Sequence, residues 1–307
     1  MKSNIDLHMH STASDGTDTP KQLLEKIRKA GIQTFSLTDH DSIDGCTVLK
    51  AIAPDDISFI LGVEFSCITS AGKCHILGYG YQGDAPSMAQ ALDAGRTLRL
   101  AKLTRRLDHL KAIHHICFSE EELSWLYHLN SPGKPHLAEL IMKQGRAKTR
   151  TEAIKDYIDG CKGGDDRIDA KIAIDGILGA AGIPVWAHPL GGEGEKHLSQ
   201  KEFEMQLTVL LELGIQGLEC YYSRYTLEEV SFLLKQARRH DLLISGGSDY
   251  HGTAKDIPLG TLNAYGQGVL ERELTVLEYI TKHEINIPRQ SRGYFTCGQS
   301  PLFFADA

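Results

Sequence analysis

Thr34-Phe35-Ser36-Leu37-Thr38-Asp39-His40-Asp41 packs four strand-favouring residues against a cluster of hydrogen-bonding and acid–base side chains. Just upstream, Thr19 can cap a helix that has Pro20 at its first position, Leu23, Leu24, Ile27 and Ala30 on one face, and Gly31 at its end. Before that helix, Ile5-Asp6-Leu7 alternates in strand fashion and runs into His8-Met9-His10. The unit is therefore strand, helix, strand, with polar residues at both strand ends. Such units demand a parallel sheet, either open or closed into a barrel.

The same grammar recurs further along. Phe59-Ile60-Leu61-Gly62-Val63 reads as a strand ending in Glu64, and Cys74-His75-Ile76-Leu77-Gly78-Tyr79 as a strand with His75 near its start. Ile183-Pro184-Val185-Trp186-Ala187 ends in His188, Gly217-Leu218-Glu219-Cys220-Tyr221 follows, and Leu242-Leu243-Ile244-Ser245 leads into Gly246-Gly247-Ser248-Asp249-Tyr250-His251. The intervening helices open with Ser199/Glu202 and Thr226/Glu229, both in capping-box spacing. Between about 86 and 180 the pattern turns helical: Leu100, Leu103, Leu107, Leu110 and Ile113 share a face, Ser119/Glu122 forms another capping box, and helical spacing continues through 136–144 and 151–160 without a strand. The expected organisation is an alternating α/β domain, its sheet open or closed into a barrel, from residues 1–85 and 181–290, with a helical insertion at 86–180 and an irregular tail at 291–307. Trp125 and Trp186 read as core, and Cys46, Cys67 and Cys74 as packed thiols.

The chain has 307 residues, 41% hydrophobic and 24% charged, with a formal charge of −7. That composition excludes disorder and coiled coil, and the acidic balance excludes a global field for gripping nucleic acid. No run approaches the roughly 18 apolar residues of a membrane span. The N-terminus lacks an apolar secretory core, so a cytoplasmic protein is expected. The 7 cysteines include no CxxC pair, which points to reduced thiols rather than a thiolate zinc site.

Histidine carries the chemical signal. In extended backbone, His8 and His10 project to one face and can reach one ion. Taken singly, HxH, Ser14-Asp15-Gly16 or a His before a proline is ordinary. Jointly, His8, His10, Asp15, His40, Glu64, His75, His188, Asp249 and His251 sit at or beside strand ends, which converge on one face of a parallel barrel. Nitrogen and oxygen donors without thiolate suit Zn, Mn or Fe, and nine donors exceed what one ion of four to six ligands can use, so two or three ions are expected.

The succession HxH, SDG, TDHD, GVE, a following strand His, AHP and GSDYH resembles the polymerase-and-histidinol-phosphatase (PHP) family of phosphoesterases. The resemblance implies a distorted seven-stranded barrel with a trinuclear centre at the strand ends. It assigns His8, His10, Glu64 and Asp249 to one ion, Asp15, His40 and His251 to a second, and Glu64 as a bridge with His75 and His188 to a third. Asp15 stands where many relatives have His, a swap typical of the subgroup acting on nucleotides. The implied reaction is hydrolysis of a phosphate ester by a metal-bridged hydroxide attacking phosphorus in line. No GxSxG elbow or P-loop stands in the sequence to suggest other chemistry.

Arg99, Lys102 and Arg106 form a basic stripe on the first insertion helix, and Lys134-Pro135-His136 resembles the family's Arg-Pro-His signature with Lys in place of Arg. Lys keeps the charge and loses the bidentate fork. These residues are expected to clamp a second phosphate, with His197 as a lid residue, and Asp39 and Glu219 are expected to orient ligand histidines. The substrate that the resemblance implies is a small phosphorylated nucleotide, a nucleoside 3′,5′-bisphosphate or a short 5′-phosphorylated RNA; neither long duplex nucleic acid nor a membrane is expected as a partner. A 5′-AMP phosphatase, a histidinol phosphatase and a non-catalytic metal-binding module are the alternatives, in that order.

Overall fold

The computed structural model describes residues 3–161, 163 and 167–283. In chain order the elements are β1 (Ile5–Asp6), α1 (Pro20–Ala30), β2 (Thr34–Leu37), α2 (Asp44–Ile52), β3 (Ser58–Thr69), β4 (Gly72–Tyr79), α3 (Pro86–His114), α4 (Glu120–His128), α5 (Lys134–Lys143), α6 (Arg150–Ala153), β5 (Ile168–Asp169), α7 (Ala170–Gly179), β6 (Ile183–Ala187), α8 (Gln200–Leu213), β7 (Gly217–Tyr222), α9 (Leu227–Arg239), β8 (Leu243–Gly247) and α10 (Thr275–Lys282). The sheet runs β1-β2-β3-β4-β6-β7-β8 and the short β5 adds to β3. The backbone beyond β1 then closes the ring: Leu7 N–H donates to Gly246 O (3.2 Å), Asp249 N–H to His8 O (2.8 Å) and His10 N–H to Tyr250 O (2.8 Å). The HxH segment is the seam of a distorted (β/α) barrel.

The helices start where their caps place them. Thr19, Ser119, Ser199 and Thr226 each accept from the backbone three residues on, and the residue there returns the bond, which stabilises each helix by about 1 kcal/mol. Gly31 ends α1 in the left-handed conformation, φ 76°.

Two features depart from the expectation. β4 runs antiparallel to both β3 and β6. Only Ser70 and Ala71 separate it from β3, and a parallel return would need a crossover of a dozen residues. His75, near the start of β4, therefore lies on the same rim as the ends of the parallel strands. The second departure is the extent of the insertion. One hydrophobic cluster fills the barrel, and a second, from Leu103 to Ile158, fills the insertion. Met88 and Ala91 of α3 and Ala173, Ile174 and Ile177 of α7 pack into the barrel cluster, and β5 is a strand inside the 86–180 stretch that read as free of them. Helix α3 thus begins on the barrel and ends in the insertion. Of its leucine stripe, Leu103 and Leu110 are buried, while Ile113 at the far end is exposed. Trp186 is core as expected, but Trp125 is on the surface, 39% exposed.

Among the described residues no helix is long and apolar enough to cross a membrane, and Cys46, Cys67, Cys74, Cys117, Cys161 and Cys220 are all free. The predicted tail at 291–307 and Cys297 lie outside the described residues.

The seam leaves no room for a side chain at Gly247, the last residue of β8. A Cβ on Gly247 would fall 2.3 Å from His8 Cβ and 2.4 Å from His8 N. Gly247→Ala is expected to cost about 1–3 kcal/mol by forcing the strands apart. The melting temperature should drop by several degrees, with weaker metal binding because His8 moves. Thermal unfolding beside a Gly266→Ala control checks it: Gly266 lies in a loop with nothing within 4 Å of the new methyl, so its variant bears only the local backbone penalty of its φ of 63°.

Candidate metal centre

His8 and His10 leave the seam on the barrel side, while Met9 between them is fully buried in the core. His40 and Glu64 follow β2 and lie within β3, and a parallel bridge pairs their backbones. His75 on β4 is in register with Ala187 at the end of β6, beside His188. Asp249 and His251 follow β8. Three of the residues at this rim, Asp41, His188 and Asp249, hold left-handed backbone angles (φ 49°, 29° and 59°). Non-glycine residues held this way cost about 1–3 kcal/mol each and persist where the surroundings fix them, commonly at functional sites.

Glu64, 1% exposed, is the hub. Its Oε2 lies 3.2 Å from His10 Nε2, 3.4 Å from His8 Nε2 and 3.1 Å from His40 Nδ1. Its Oε1 lies 3.0 Å from His75 Nδ1 and 3.1 Å from His188 Nε2. Asp249 Oδ1 is 3.6 Å from His8 Nε2 and 3.4 Å from His10 Nε2. Asp15 Oδ1 is 3.3 Å from His251 Nε2, and its Oδ2 is 3.8 Å from His40 Nε2. The structure brings the nine residues singled out from the sequence into one cluster: seven line a cavity, and His8 and His10 lie fully buried against Glu64 and Asp249.

The donor set suits divalent ions. His8 Nε2 and His10 Nε2 stand 3.2 Å apart, and His75 Nδ1 and His188 Nε2 3.3 Å. Two nitrogens bound tetrahedrally to one ion at 2.0–2.1 Å would be about 3.3 Å apart. His40 Nδ1 is buried with no hydrogen-bond partner, for it sits near Glu64 Oε2 but off the line of a hydrogen bond. Three groups of donors converge within 4.8 Å: His10 with Asp15, His40 and His251; His8 with His10 and Asp249; His40 with Glu64 and His75. They differ from the partition implied by the family resemblance: His10 and His40 each belong to two groups, Glu64 joins only the group with His40 and His75, and His188 belongs to none of the three.

The outer faces of the ligands are held too. Glu219 Oε1 lies 2.9 Å from His8 Nδ1, and its Oε2 accepts the His188 N–H at 2.7 Å, the orienting place expected for it. Asp39 works differently from the expectation. It accepts from Ser11 N–H (2.7 Å), Ser11 Oγ (2.7 Å) and Ser14 Oγ (2.6 Å), so it anchors the loop that carries Asp15 and touches no imidazole directly.

The substrate-side residues fare otherwise. Arg99 donates to Asp41 Oδ2 (2.5 Å) and Ser66 Oγ (3.1 Å), so its guanidinium braces α3 against the rim. Lys102 and Arg106 are half-buried and do not line the metal cavity. Burial, then the neighbouring Arg106, Arg167, Arg99 and Lys134, push the Lys102 amine down to about 8. Lys134 is tied to Asp159 at 2.5 Å. His136 Nδ1 accepts the Gly133 N–H and caps its own helix. His197 is exposed, 2.6 Å from Glu229, and does not line the cavity. The cavity, of about 290 Å³, is instead walled by Pro135, Arg150 and Ile154 of the insertion, by Gly192, Glu193 and Glu195, and by Lys255. Lys255 Nζ reaches Asp249 Oδ2 at 2.6 Å, and Tyr222 OH donates to the same oxygen at 3.0 Å. Arg150, Glu195 and Lys255 escaped the sequence reading. Lys255 is four residues past His251 and Glu195 is in the glycine-rich loop after His188, so both had a positional signal. Arg150 had none, because only the fold of the insertion brings it there.

The PHP domain model matches residues 6–166, so the chain belongs to the PHP domain family. It is 29% identical to the phosphoribosyl 1,2-cyclic phosphate 1,2-diphosphodiesterase of Eggerthella lenta, over 82% of this chain and 96% of that one. It is 28% identical to the 3′,5′-nucleoside bisphosphate phosphatase of Chromobacterium violaceum, covering 81% of this chain and 87% of the relative. Among solved structures, an amidohydrolase from Chromobacterium violaceum with bound sulfate and no metal superposes with a TM-score of 0.72 at 28% identity, over 83% of this chain and 90% of that one.

Protonation sets a testable property of the centre. Burial alone would push the imidazoles down, but carboxylates reverse this at three ligands. Glu219 and Glu64 hold His8 well above 6.5, Asp249 and Glu64 bring His10 to about 9, and Glu195 and Glu64 bring His188 to about 10. The metal-free centre therefore carries protons at neutral pH, and ions must displace them. Titration of chelator-stripped protein with Mn²⁺ at pH 7.5 in buffers of different ionisation enthalpy should show proton release. The affinity should rise about tenfold per pH unit for each proton displaced, up to pH 9–10. A pH-independent affinity without proton release would contradict the assignment.

Proposed function

We propose that this chain hydrolyses a phosphate monoester of a small nucleotide, with a nucleoside 3′,5′-bisphosphate as substrate. The nine rim residues would hold two or three divalent ions, Mn, Fe or Zn. When bound, the ions supply Lewis acidity and activate water near neutral pH. The chain's own groups do the rest. Glu64, Asp15 and Asp249 stay ionised because the surrounding imidazoles, together with Lys255 at Asp249, outweigh the effect of their burial. Lys255 stands at the cavity wall to meet a phosphate oxygen. The insertion serves as a cap that sets substrate choice.

The observation that carries the two-phosphate reading is Arg150. It lines the same cavity as the metal-rim residues, and among the described residues its guanidinium makes no hydrogen bond or ion pair. An arginine fork lining the same small cleft as a metal centre suits a ligand that carries a second phosphate. The brace at Arg99 moves the expected clamp from the stripe on α3 to α6. A cleft of this size has no room for duplex nucleic acid. A short 5′-phosphorylated RNA would present its terminal phosphate to Arg150.

Phosphate release from adenosine 3′,5′-bisphosphate with added Mn²⁺, beside a chelated control, tests the reading. Rapid release abolished by the chelator is expected. Arg150→Ala should raise KM about 10–100-fold, the worth of a charged hydrogen-bond pair, with kcat little changed. The same substitution should leave turnover of 5′-AMP nearly untouched. Equal or better turnover of 5′-AMP, histidinol phosphate or a cyclic phosphodiester by the unmodified protein would overturn the two-phosphate reading.

A further inference from the structure

His75 and His188 face Glu64 Oε1 with Nδ1 and Nε2 respectively, at 3.0 and 3.1 Å. Each ring has a second nitrogen pointing outward. At three other histidines of the rim that outer nitrogen is engaged by protein: His8 Nδ1 by Glu219 at 2.9 Å, His251 Nδ1 by Asp249 O at 2.8 Å, His10 Nδ1 by Ser14 Oγ at 3.4 Å. At His75 and His188 the group in that place is Glu195. Its Oε2 lies 3.3 Å from His188 Nδ1, and its Oε1 lies 3.9 Å from His75 Nε2, ion-pair rather than hydrogen-bond range. A ligating imidazole needs such an acceptor to fix its tautomer and ring plane.

Glu195 belongs to no strand or helix. It is delivered by the loop between β6 and α8, where Gly191 and Gly194 take left-handed angles (φ 108° and 77°). The loop folds back on itself because Glu195 Oε2 also accepts the Gly192 N–H at 2.9 Å. Gly192 passes so close to His188 that a Cβ there would lie 3.0 Å from its Nδ1. Tyr222 OH accepts the Glu193 N–H at 2.9 Å and Tyr225 OH accepts the Leu190 N–H at 2.8 Å, which hold the base of the loop to β7 and its exit. One carboxylate oxygen thus ties together the loop and a ligand ring.

We propose that Glu195 is a positioning residue of the metal centre: it orients His188 and His75 from outside, so that closure of the loop at 189–198 and occupancy of the ion site shared with Glu64 depend on each other. The inference rests on the metal reading given above, but not on the substrate. An ion between Glu64, His75 and His188 favours neutral rings whose outward N–H groups point at Glu195. Closing the loop in turn holds the rings ready for the ion.

The test is Mn²⁺ binding, followed by metal analysis after gel filtration, on the full chain and on Glu195→Ala and Glu195→Gln. Glu195→Ala should weaken the affinity for one ion about 10–100-fold, leaving the remaining ions in place. Glu195→Gln should lie between, since its amide oxygen still accepts one N–H. Trypsin cleavage after the exposed Lys196 supplies an independent readout: Mn²⁺ should slow it in the unmodified protein and not in Glu195→Ala. If Glu195→Ala binds the full complement with unchanged affinity and keeps the metal-dependent protection, the proposal is overturned. If the unmodified protein binds no Mn²⁺, the metal reading falls and the proposal with it.

Discussion

A buried carboxylate surrounded by five imidazoles is the constraint on which the rest of the molecule depends. Glu64 is nearly fully buried within 3.0–3.4 Å of nitrogens from His8, His10, His40, His75 and His188. Those five residues come from the seam and from the rims of β2, β4 and β6, so the carboxylate can be satisfied only if the barrel is closed. A buried ionised group costs several kcal/mol unless it is compensated, and here the compensation comes from every side of the barrel. The strained backbone at Asp41, His188 and Asp249 and the bare Gly247 at the seam are consistent with a fold that gives up local comfort to bring these groups together.

Much of this was legible in the chain itself. Strand runs ending in His or carboxylate, separated by capped helices, are enough to put nine residues on one rim, and the capping residues Thr19, Ser119, Ser199 and Thr226 start their helices where they should. Ligands were readable because their position is tied to strand ends, which periodicity marks. Asp39 was readable as functional but not in its action, because nothing in Thr-Asp-His-Asp says whether an acid turns to a histidine or to a serine loop. Helix α2 was missed. It is short, has no side-chain cap and begins with a glycine in its first turn, so its local signal is weak.

The insertion was the hardest part to read, for a physical reason. A basic stripe such as Arg99, Lys102 and Arg106 shows charge and spacing but not what the helix packs on. In the folded molecule α3 straddles two cores, and Arg99 spends its charge on Asp41. Lys134 and His136 likewise turn to Asp159 and to their own helix cap. Among the described residues of the insertion, the cation that does line the cavity, Arg150, is placed by long-range packing with no local trace. The antiparallel β4 was hidden for a related reason: strand direction is set by the length of the link, and a two-residue link is visible only once both strand ends are known.

In the proposed metal centre Glu64 would be shared between ions and hold the cluster together. The most direct measurement is the metal content of chelator-stripped and reloaded protein, compared with Glu64→Gln, with circular dichroism to confirm that both are folded. Two or three ions per chain are expected in the unmodified protein, with loss of more than one in Glu64→Gln, because a single side chain serves donors on both of its oxygens. A folded Glu64→Gln protein that retains the full metal content would contradict the claim.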